Sequence, residues 1–150
     1  MDGEYHPNFD PGTDPHVYEI VWKPDYIAWS LDGVEVRRKT SASYSVRDMD
    51  KYQLLYMNFW TPEWEAWGGG RDDSTMPWYA QYDWVEAYDY DEATDSFNLR
   101  FRDDFDFLDN NIWRVSNNWG FEANSSRFME THTYVHDGKL ILKMDHDLND

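Results

Sequence analysis

Alternation of side chains with a period of two is the feature of this chain that most constrains its fold. Apolar residues recur at every second position through residues 17–22, 78–90 and 97–102. Successive side chains of a β-strand point to opposite faces, so this period is typical of strands. No segment as long as an ordinary helix, about ten residues or more, shows the helical period. The sequence therefore predicts an all-β fold.

Turn signals separate the predicted strands at short intervals. An Asp-Gly pair at 32–33 joins strands predicted at 26–31 and 34–37, and a His-Asp-Gly turn at 136–138 separates strands predicted at 127–134 and 139–143. Asp-Gly between apolar runs is a strong signal for a two-residue β-hairpin. Residues 52–60 are another mostly apolar run, which we interpret as a strand. Many short strands separated by turns indicate a sandwich of antiparallel sheets.

Charge and composition narrow the ligands that such a fold can bind. Lys and Arg number 13 and Asp and Glu number 30, so the formal net charge of the 150 residues is −17. This charge argues against nucleic acids and anionic membranes as partners, because both would be repelled. Aromatic residues make up 19%, which argues for a folded domain, and no apolar run is long enough to span a membrane. The chain has no cysteine, hence no disulfide or thiolate, and a neutral ligand is favoured.

Four stretches carry recognisable motifs. Residues 16–33 read H-V-Y-E-I-V-W-K-P-D-Y-I-A-W-S-L-D-G, residues 57–60 read M-N-F-W, and residues 82–85 read Y-D-W-V. Residues 103–142 contain D-D-F-D-F-L-D, then I-W, then D-G-K-L-I-L. Together these stretches resemble the family-16 glycoside hydrolases, in the lichenase or endo-1,3-1,4-β-glucanase group. The resemblance implies a jelly-roll (concanavalin-like) sandwich of two antiparallel sheets, incomplete in this chain.

The order of these motifs differs from that in most members of the family. The stretch that resembles the C-terminal half of the fold, 16–90, comes before the stretch that resembles its N-terminal strands, 97–143. A naturally circularly permuted branch of the β-glucanases has this order, and residues 91–96 would then connect the old ends. A tandem array of unpermuted domains, cut within the array, would give the same order, but the short connector favours permutation. We expect residues 1–150 to form a single domain.

The catalytic strand of the family has no counterpart in this chain. That strand reads E-x-D-x-x-E or E-x-D-x-E, and its two glutamates serve as nucleophile and general acid/base, with carboxyls roughly 5 Å apart. None of the nine glutamates here has Asp at +2 and Glu at +4 or +5. Glu63 and Glu65 are the nearest pair, but they lie in a loop rich in Pro and Trp. We therefore identify no catalytic residue and expect the chain to be inactive alone.

The resemblance implies that several residues line a glucan cleft. Indole faces stack on the apolar C–H face of a sugar ring, and amides bond its hydroxyls. The alternative is that these tryptophans belong to the core, as we expect for Trp22, Trp29 and Trp84 within predicted strands. The implied cleft residues are Asn58, Trp60, Trp67, Trp119, Phe121 and Asn124.

The resemblance also implies a structural calcium site at Asp83, Asp104 and Gly138. Calcium takes hard oxygen ligands from carboxylates and carbonyls, with water completing six to eight. Asp104 stands where the permuted branch has Asn, and Asp would also ligate. The alternative is that both aspartates are ordinary surface residues of a very acidic chain.

Three functions remain open at this point. The first is a segment of a permuted endo-β-glucanase that hydrolyses 1,3-1,4-β- or 1,3-β-glucan with retention. The second is a non-catalytic, lectin-like module that binds β-glucan polysaccharide or oligosaccharide. The third is one half of a split enzyme, whose partner segment or chain carries the catalytic strand. The family implies secretion, although the polar residues 1–6 do not predict a signal peptide.

Overall fold

The computed structural model describes residues 7–10, 12–43, 46 and 52–146. Within them the chain forms eight β-strands, one short α-helix and two 3₁₀ turns, and every pair of strands is antiparallel. The predicted all-β fold with antiparallel sheets is therefore confirmed. Among these residues, no helix has the length and apolar character needed to cross a membrane.

The chain divides into two compact units, Met1–Leu54 and Leu55–Asp150. In the first unit three strands form an antiparallel meander: β1 (Tyr18–Trp22), β2 (Tyr26–Leu31) and β3 (Val34–Thr40). Strand β2 is central, and it supplies the buried residues of the meander, Ile27, Ala28 and Leu31.

The turn between β2 and β3 is the predicted two-residue hairpin. Asp32 and Gly33 have φ angles of 51° and 76°. Positive φ at both positions is what a type I′ turn requires, so the prediction is confirmed. Asp32 also ties this turn to the start of β1, because its Oδ1 accepts a 2.9 Å bond from the Val17 N–H and its Oδ2 lies 2.7 Å from His16 Nδ1. These two contacts hold the pKa of Asp32 below its usual value.

The second unit contains two sheets and the helix. Strands β4 (Trp78–Tyr82), β7 (Thr133–His136) and β8 (Lys139–Met144) form one sheet, in which β8 lies between the other two. Strands β5 (Val85–Asp91) and β6 (Ser96–Asp103) form a two-stranded sheet. Helix α1 (Glu65–Gly68) lies in the loop before β4.

Both hairpins of the second unit have the turns that their residues favour. Asp137 and Gly138 join β7 to β8 with φ angles of 51° and 68°, which confirms the second predicted turn. The expected connector, 91–96, makes the turn between β5 and β6. There Asp91 accepts bonds from Thr94 Oγ1 at 2.7 Å and from the Ala93 N–H at 3.0 Å, and both lower its pKa.

The core of the second unit is built around Phe105, which is fully buried. Leu140 and Leu142 of β8 pack with it. Asp103 accepts a 2.8 Å bond from the Phe105 N–H and a 2.6 Å bond from Trp113 Nε1. The partly buried residues around this centre are Met57, Phe59, Ala80, Tyr82, Val85, Leu108, Trp113 and Val135.

Two local expectations were wrong. The structure assigns no strand to 52–60, although Met57 and Phe59 do pack on the core as a strand face would. A strand exists only with a hydrogen-bonded partner, and pairing of this segment is not found among the described residues. Trp84, expected in the core, is 39% exposed, and the Arg102 guanidinium lies 4.9 Å from its ring centroid.

Candidate functional site

Four aromatic rings form a connected group in the second unit, which we call the aromatic surface: Trp60, Trp119, Phe121 and Phe128. The Trp60 and Phe121 centroids are 5.0 Å apart, and those of Trp119 and Phe121 are 5.8 Å apart. Trp119 stacks on Phe128 at 5.6 Å with an angle of 15° between the rings. Trp119 is 53% exposed and Phe121 is 38% exposed, so the group presents flat apolar rings to solvent.

The loop that carries three of these rings is closed by backbone pairing. The Trp119 N–H donates to the Phe128 carbonyl at 3.2 Å, and the Phe128 N–H donates to the Trp119 carbonyl at 2.8 Å. Beside this bridge, Arg127 Nη1 donates to Asn118 Oδ1 at 2.5 Å. The position of the Trp119 indole is therefore set by the backbone beneath it as well as by its stacking on Phe128.

A second set of bonds joins this loop to the segment that follows Trp60. The Glu63 N–H donates to the Ala123 carbonyl at 3.0 Å, and the Ser125 N–H donates to the Thr61 carbonyl at 3.0 Å. Residues 62 and 124 form an isolated antiparallel bridge between these two bonds. Segments about 60 residues apart in sequence are thus held side by side, which brings Trp60 to Phe121.

The structure brings some of the predicted cleft residues together and separates others. Trp60, Trp119 and Phe121 share the aromatic surface, and Asn58 is exposed two residues before Trp60. Trp67 belongs to helix α1, but its side chain lies outside the described part of the structure.

Asn124 is buried beneath this loop and does not face solvent. It is 9% exposed, and its Oδ1 accepts a 2.8 Å bond from the Ser126 N–H. Its Nδ2 is buried without a partner among the described residues. The structure therefore gives Asn124 a position that supports the loop, and its predicted contact with sugar is not tested by this geometry.

Phe128 is the ring that the sequence did not single out. It was included in a strand predicted over 127–134, but the structure has a bridge at Phe128, then a 3₁₀ turn at Glu130–His132, and β7 only from Thr133. The sequence signal for Phe128 was a pair of aromatic residues, one at each end of a loop rich in Asn and Ser. Two aromatic residues that close a loop by contacting each other would produce this pattern.

The three residues predicted to bind calcium lie at one end of the strands of the second unit. Asp83 follows β4, Asp104 follows β6, and Gly138 precedes β8. The registers Tyr82↔Leu140 and Val85↔Asp103 place these strand ends around the link between β4 and β5.

Both carboxylates at this end are already paired with cationic side chains. Lys139 Nζ contacts Asp83 Oδ1, and Arg102 donates to Asp104 through Nε at 2.8 Å and Nη2 at 2.5 Å. The Arg102 bonds hold the pKa of Asp104 below its usual value. The oxygen donors suit calcium in type, but a bound ion would have to displace Lys139 and Arg102. No group of three or more His, Asp or Glu side chains poised for a metal occurs among the described residues.

The chain matches the family described as glycosyl hydrolases family 16 over residues 2–86. It is 33% identical over 147 residues to a beta-glucanase of Fibrobacter succinogenes, a match that covers 94% of this chain and 41% of that protein. A beta-glucanase of Paenibacillus polymyxa is 34% identical over 79 residues, covering 52% of this chain and 31% of that protein.

A plant relative extends the range of similar proteins. A probable xyloglucan endotransglucosylase/hydrolase of Arabidopsis thaliana is 32% identical over 79 residues, covering 49% of this chain and 28% of that protein. The chain thus spans less than half the length of each of these three relatives.

Proposed function

This chain belongs to glycosyl hydrolase family 16, and we propose that it supplies the glucan-binding part of an endo-β-glucanase. The complete enzyme hydrolyses 1,3-1,4-β- or 1,3-β-glucan with retention, through a glycosyl–enzyme intermediate. The observation that carries this proposal is the aromatic surface, because Trp60, Trp119 and Phe121 come together at positions that the family's motifs assign to the cleft.

The surface suits a neutral, flat ligand. Phe128 stacks on the Trp119 indole, and the ring remains 53% exposed, which leaves indole surface for a sugar. The C–H groups on one side of a pyranose pack on such a ring, and the net charge of −17 disfavours anionic competitors. Asn58 is exposed close to Trp60 in sequence and offers an amide for the hydroxyls of the same glycan.

In this proposal, the acid/base carboxyls come from a segment or chain other than residues 1–150. No glutamate in the chain belongs to the family's catalytic motif, and both Glu63 and Glu65 are exposed on the loop at α1. We propose that a further segment or a partner chain supplies that strand and pairs with the apolar segment around Leu55 and Tyr56, which are 53% and 75% exposed. Exposed apolar residues on a segment that has no strand partner in the described part of the chain favour such an addition.

A non-catalytic glucan-binding module is the second candidate. The same aromatic surface would serve it, and the lack of a catalytic motif favours it. The two candidates differ in one respect, because the enzyme needs a strand bearing E-x-D-x-x-E or E-x-D-x-E and the module does not.

Membership of the permuted lichenase branch is part of the proposal. The Fibrobacter beta-glucanase aligns with 94% of the chain, through the connector 91–96, whereas the Paenibacillus and Arabidopsis proteins align with about half of it. The family match itself ends at residue 86. This difference in coverage would arise if the chain shares its order of segments with the Fibrobacter protein but not with the Paenibacillus and Arabidopsis proteins.

Calcium binding and secretion also remain proposals. Asp83, Asp104 and the Gly138 carbonyl would hold the ion, which would cross-link three strand ends and stabilise the fold. Lys139 and Arg102 compete with it for the two carboxylates. Secretion follows from the proposed substrate, since polymeric glucan lies outside the cell that degrades it.

Affinity electrophoresis in gels containing barley β-glucan tests the binding proposal. We expect the chain to be retarded, and Trp119→Ala to remove most of the retardation. Trp84→Ala is the matched control, because Trp84 is also an exposed tryptophan but lies against Arg102. Equal retardation of both variants, or none for the folded wild-type chain, would contradict the proposal.

A further inference from the structure

A cavity of about 160 Å³ lies beside the C-terminal end of helix α1, and its lining residues do not belong to the aromatic surface. We call it the Arg71 pocket. Liquid water occupies about 30 Å³ per molecule, so the pocket holds about five waters, the scale of one sugar ring and less than a drug-sized site of about 300–1,000 Å³. Six residues that line it are Thr61, Gly69, Gly70, Arg71, Asp72 and Trp78.

Arg71 is held in place by partners from three parts of the chain. Its Nη1 donates to Thr61 Oγ1 at 3.1 Å and to Ser125 Oγ at 2.8 Å. Its Nε contacts Asp73 Oδ1, and its Nη2 donates to Asp73 Oδ2 at 3.0 Å. These bonds preorganise the guanidinium, and Asp73 neutralises its charge. The pocket is therefore poorly suited to an anion.

One donor and one acceptor remain for a ligand. A guanidinium has five N–H groups, and the bonds to Asp73, Thr61 and Ser125 use four, which leaves one N–H on Nη2 of Arg71. Asp72 uses Oδ1 for Ser74, whereas its Oδ2 has no partner among the described residues. A donor and an acceptor on consecutive residues, both of which line the pocket, match a pair of hydroxyls, each of which both donates and accepts.

The rest of the lining supplies apolar surface and space. Trp78 is partly buried, and its Nε1 donates to Thr75 Oγ1 at 2.8 Å, which fixes the orientation of the indole. A Cβ added at Gly69 would meet nothing within 4 Å, and one at Gly70 would meet only Glu65 Oε1 at 3.6 Å. The two glycines therefore keep this side of the pocket open.

We infer that the Arg71 pocket binds one neutral, polyhydroxylated ring, a hexopyranose, by hydrogen bonds to Arg71 and Asp72 and by contact with Trp78. This site deepens the proposed glucan function by adding a second contact for a sugar, but it does not depend on the aromatic surface. A ligand bound in the Arg71 pocket can be detected whether or not the aromatic surface binds glucan.

The test is a ¹H–¹⁵N NMR titration of the full chain with methyl β-D-glucopyranoside, compared with sodium sulfate at equal ionic strength. We expect saturable shifts of the Gly69 and Gly70 amides and of the Trp78 indole N–H with the glucoside and no such shifts with sulfate. Arg71→Met should weaken binding by about fivefold, the scale of one hydrogen bond. The matched control is Arg100→Met, because Arg100 is an exposed arginine whose one partner among the described residues is Asp89.

Gly70→Leu supplies an independent variant that fills the pocket and removes no hydrogen bond. Gly70 does not have a positive φ, so the substitution is compatible with the backbone. We expect it to abolish the shifts while the melting temperature stays near that of the wild type. Trp119→Ala should leave these shifts unchanged, so failure of the proposed glucan surface is distinguishable from failure of this site. Equal shifts with sulfate, unchanged affinity in both pocket variants, or no shifts in the folded wild type would overturn the inference.

Discussion

At the scale of single residues, the aromatic surface depends on contacts between its own rings. Trp119 is exposed, yet its orientation is determined by Phe128 and by the backbone bridge between the same two residues. A stacking platform is effective only when its ring is already held, because ordering a mobile side chain on binding costs affinity. Phe128 is therefore a positioning residue for the proposed glucan contact.

Replacement of Phe128 tests that role. Phe128→Ala should lower the affinity for β-glucan oligosaccharides about threefold to tenfold, the range that an aromatic pair contributes. Phe128→Leu keeps the bulk and should recover part of the loss. Near-UV circular dichroism should report a changed Trp119 environment in the alanine variant. Unchanged affinity in Phe128→Ala, with the fold intact, would show that Trp119 needs no support from this ring.

The residues that sequence reasoning placed incorrectly fail for a shared reason. Phe128 and Trp84 both lie at positions where the contact is made by a residue distant in sequence or by a loop closing on itself. Local alternation gives the face of a strand but not the burial of a residue in a loop. Motif positions were more informative for Trp60, Trp119 and Phe121, which the structure brings together.

At the scale of the elements, the β2–β3 and β7–β8 hairpins were predictable because an Asp-Gly pair favours the positive φ angles of a two-residue turn. Gly138 has φ of 68° in the β7–β8 turn. Gly138→Ala should destabilise the chain by about 1–2 kcal/mol, the cost of an ordinary residue in the left-handed region. Gly120→Ala is the control, since Gly120 lacks a positive φ and its added Cβ would be 3.5 Å from the nearest atom. Urea denaturation of both variants measures the difference, and equal midpoints would refute the strain.

The calcium proposal makes a prediction at the same strand ends. Calcium should raise the melting temperature, because an ion that binds only the folded state stabilises it. Lys139→Met removes the ammonium that contacts Asp83 and should enlarge the calcium increment, whereas Asp83→Ala should remove it. Melting curves with calcium and with EDTA measure this. Identical curves for both the wild type and Lys139→Met would exclude the site.

At the scale of the whole molecule, the fold class follows from the sequence but its completeness does not. Alternation and turns were sufficient for antiparallel sheets, and the strand expected over 52–60 was wrong because a strand also needs a partner. Pairing is a long-range property that the period of one segment does not contain. The two catalytic glutamates of the family cannot be located from this sequence either, because they lie on a strand with no counterpart in this chain.

Hydrolysis by this chain alone provides a test at that scale. The chain should release no reducing ends from barley β-glucan, since it has no carboxyl pair in the family's motif. A sensitive reducing-sugar assay on the folded protein measures this. Turnover that Glu63→Gln or Glu65→Gln abolishes would reveal an active site at α1 and refute the account of the missing strand.

The most direct measurement of the central claim is a titration of the folded chain with cello- and laminari-oligosaccharides, followed by tryptophan fluorescence. A contact of this size should give a dissociation constant near 1 mM, roughly −4 kcal/mol, with little dependence on salt because the contact is not ionic. Trp119→Ala should weaken it while Trp84→Ala leaves it unchanged. No change in fluorescence up to tens of millimolar, in a sample shown to be folded, would contradict the claim that the aromatic surface binds glucan.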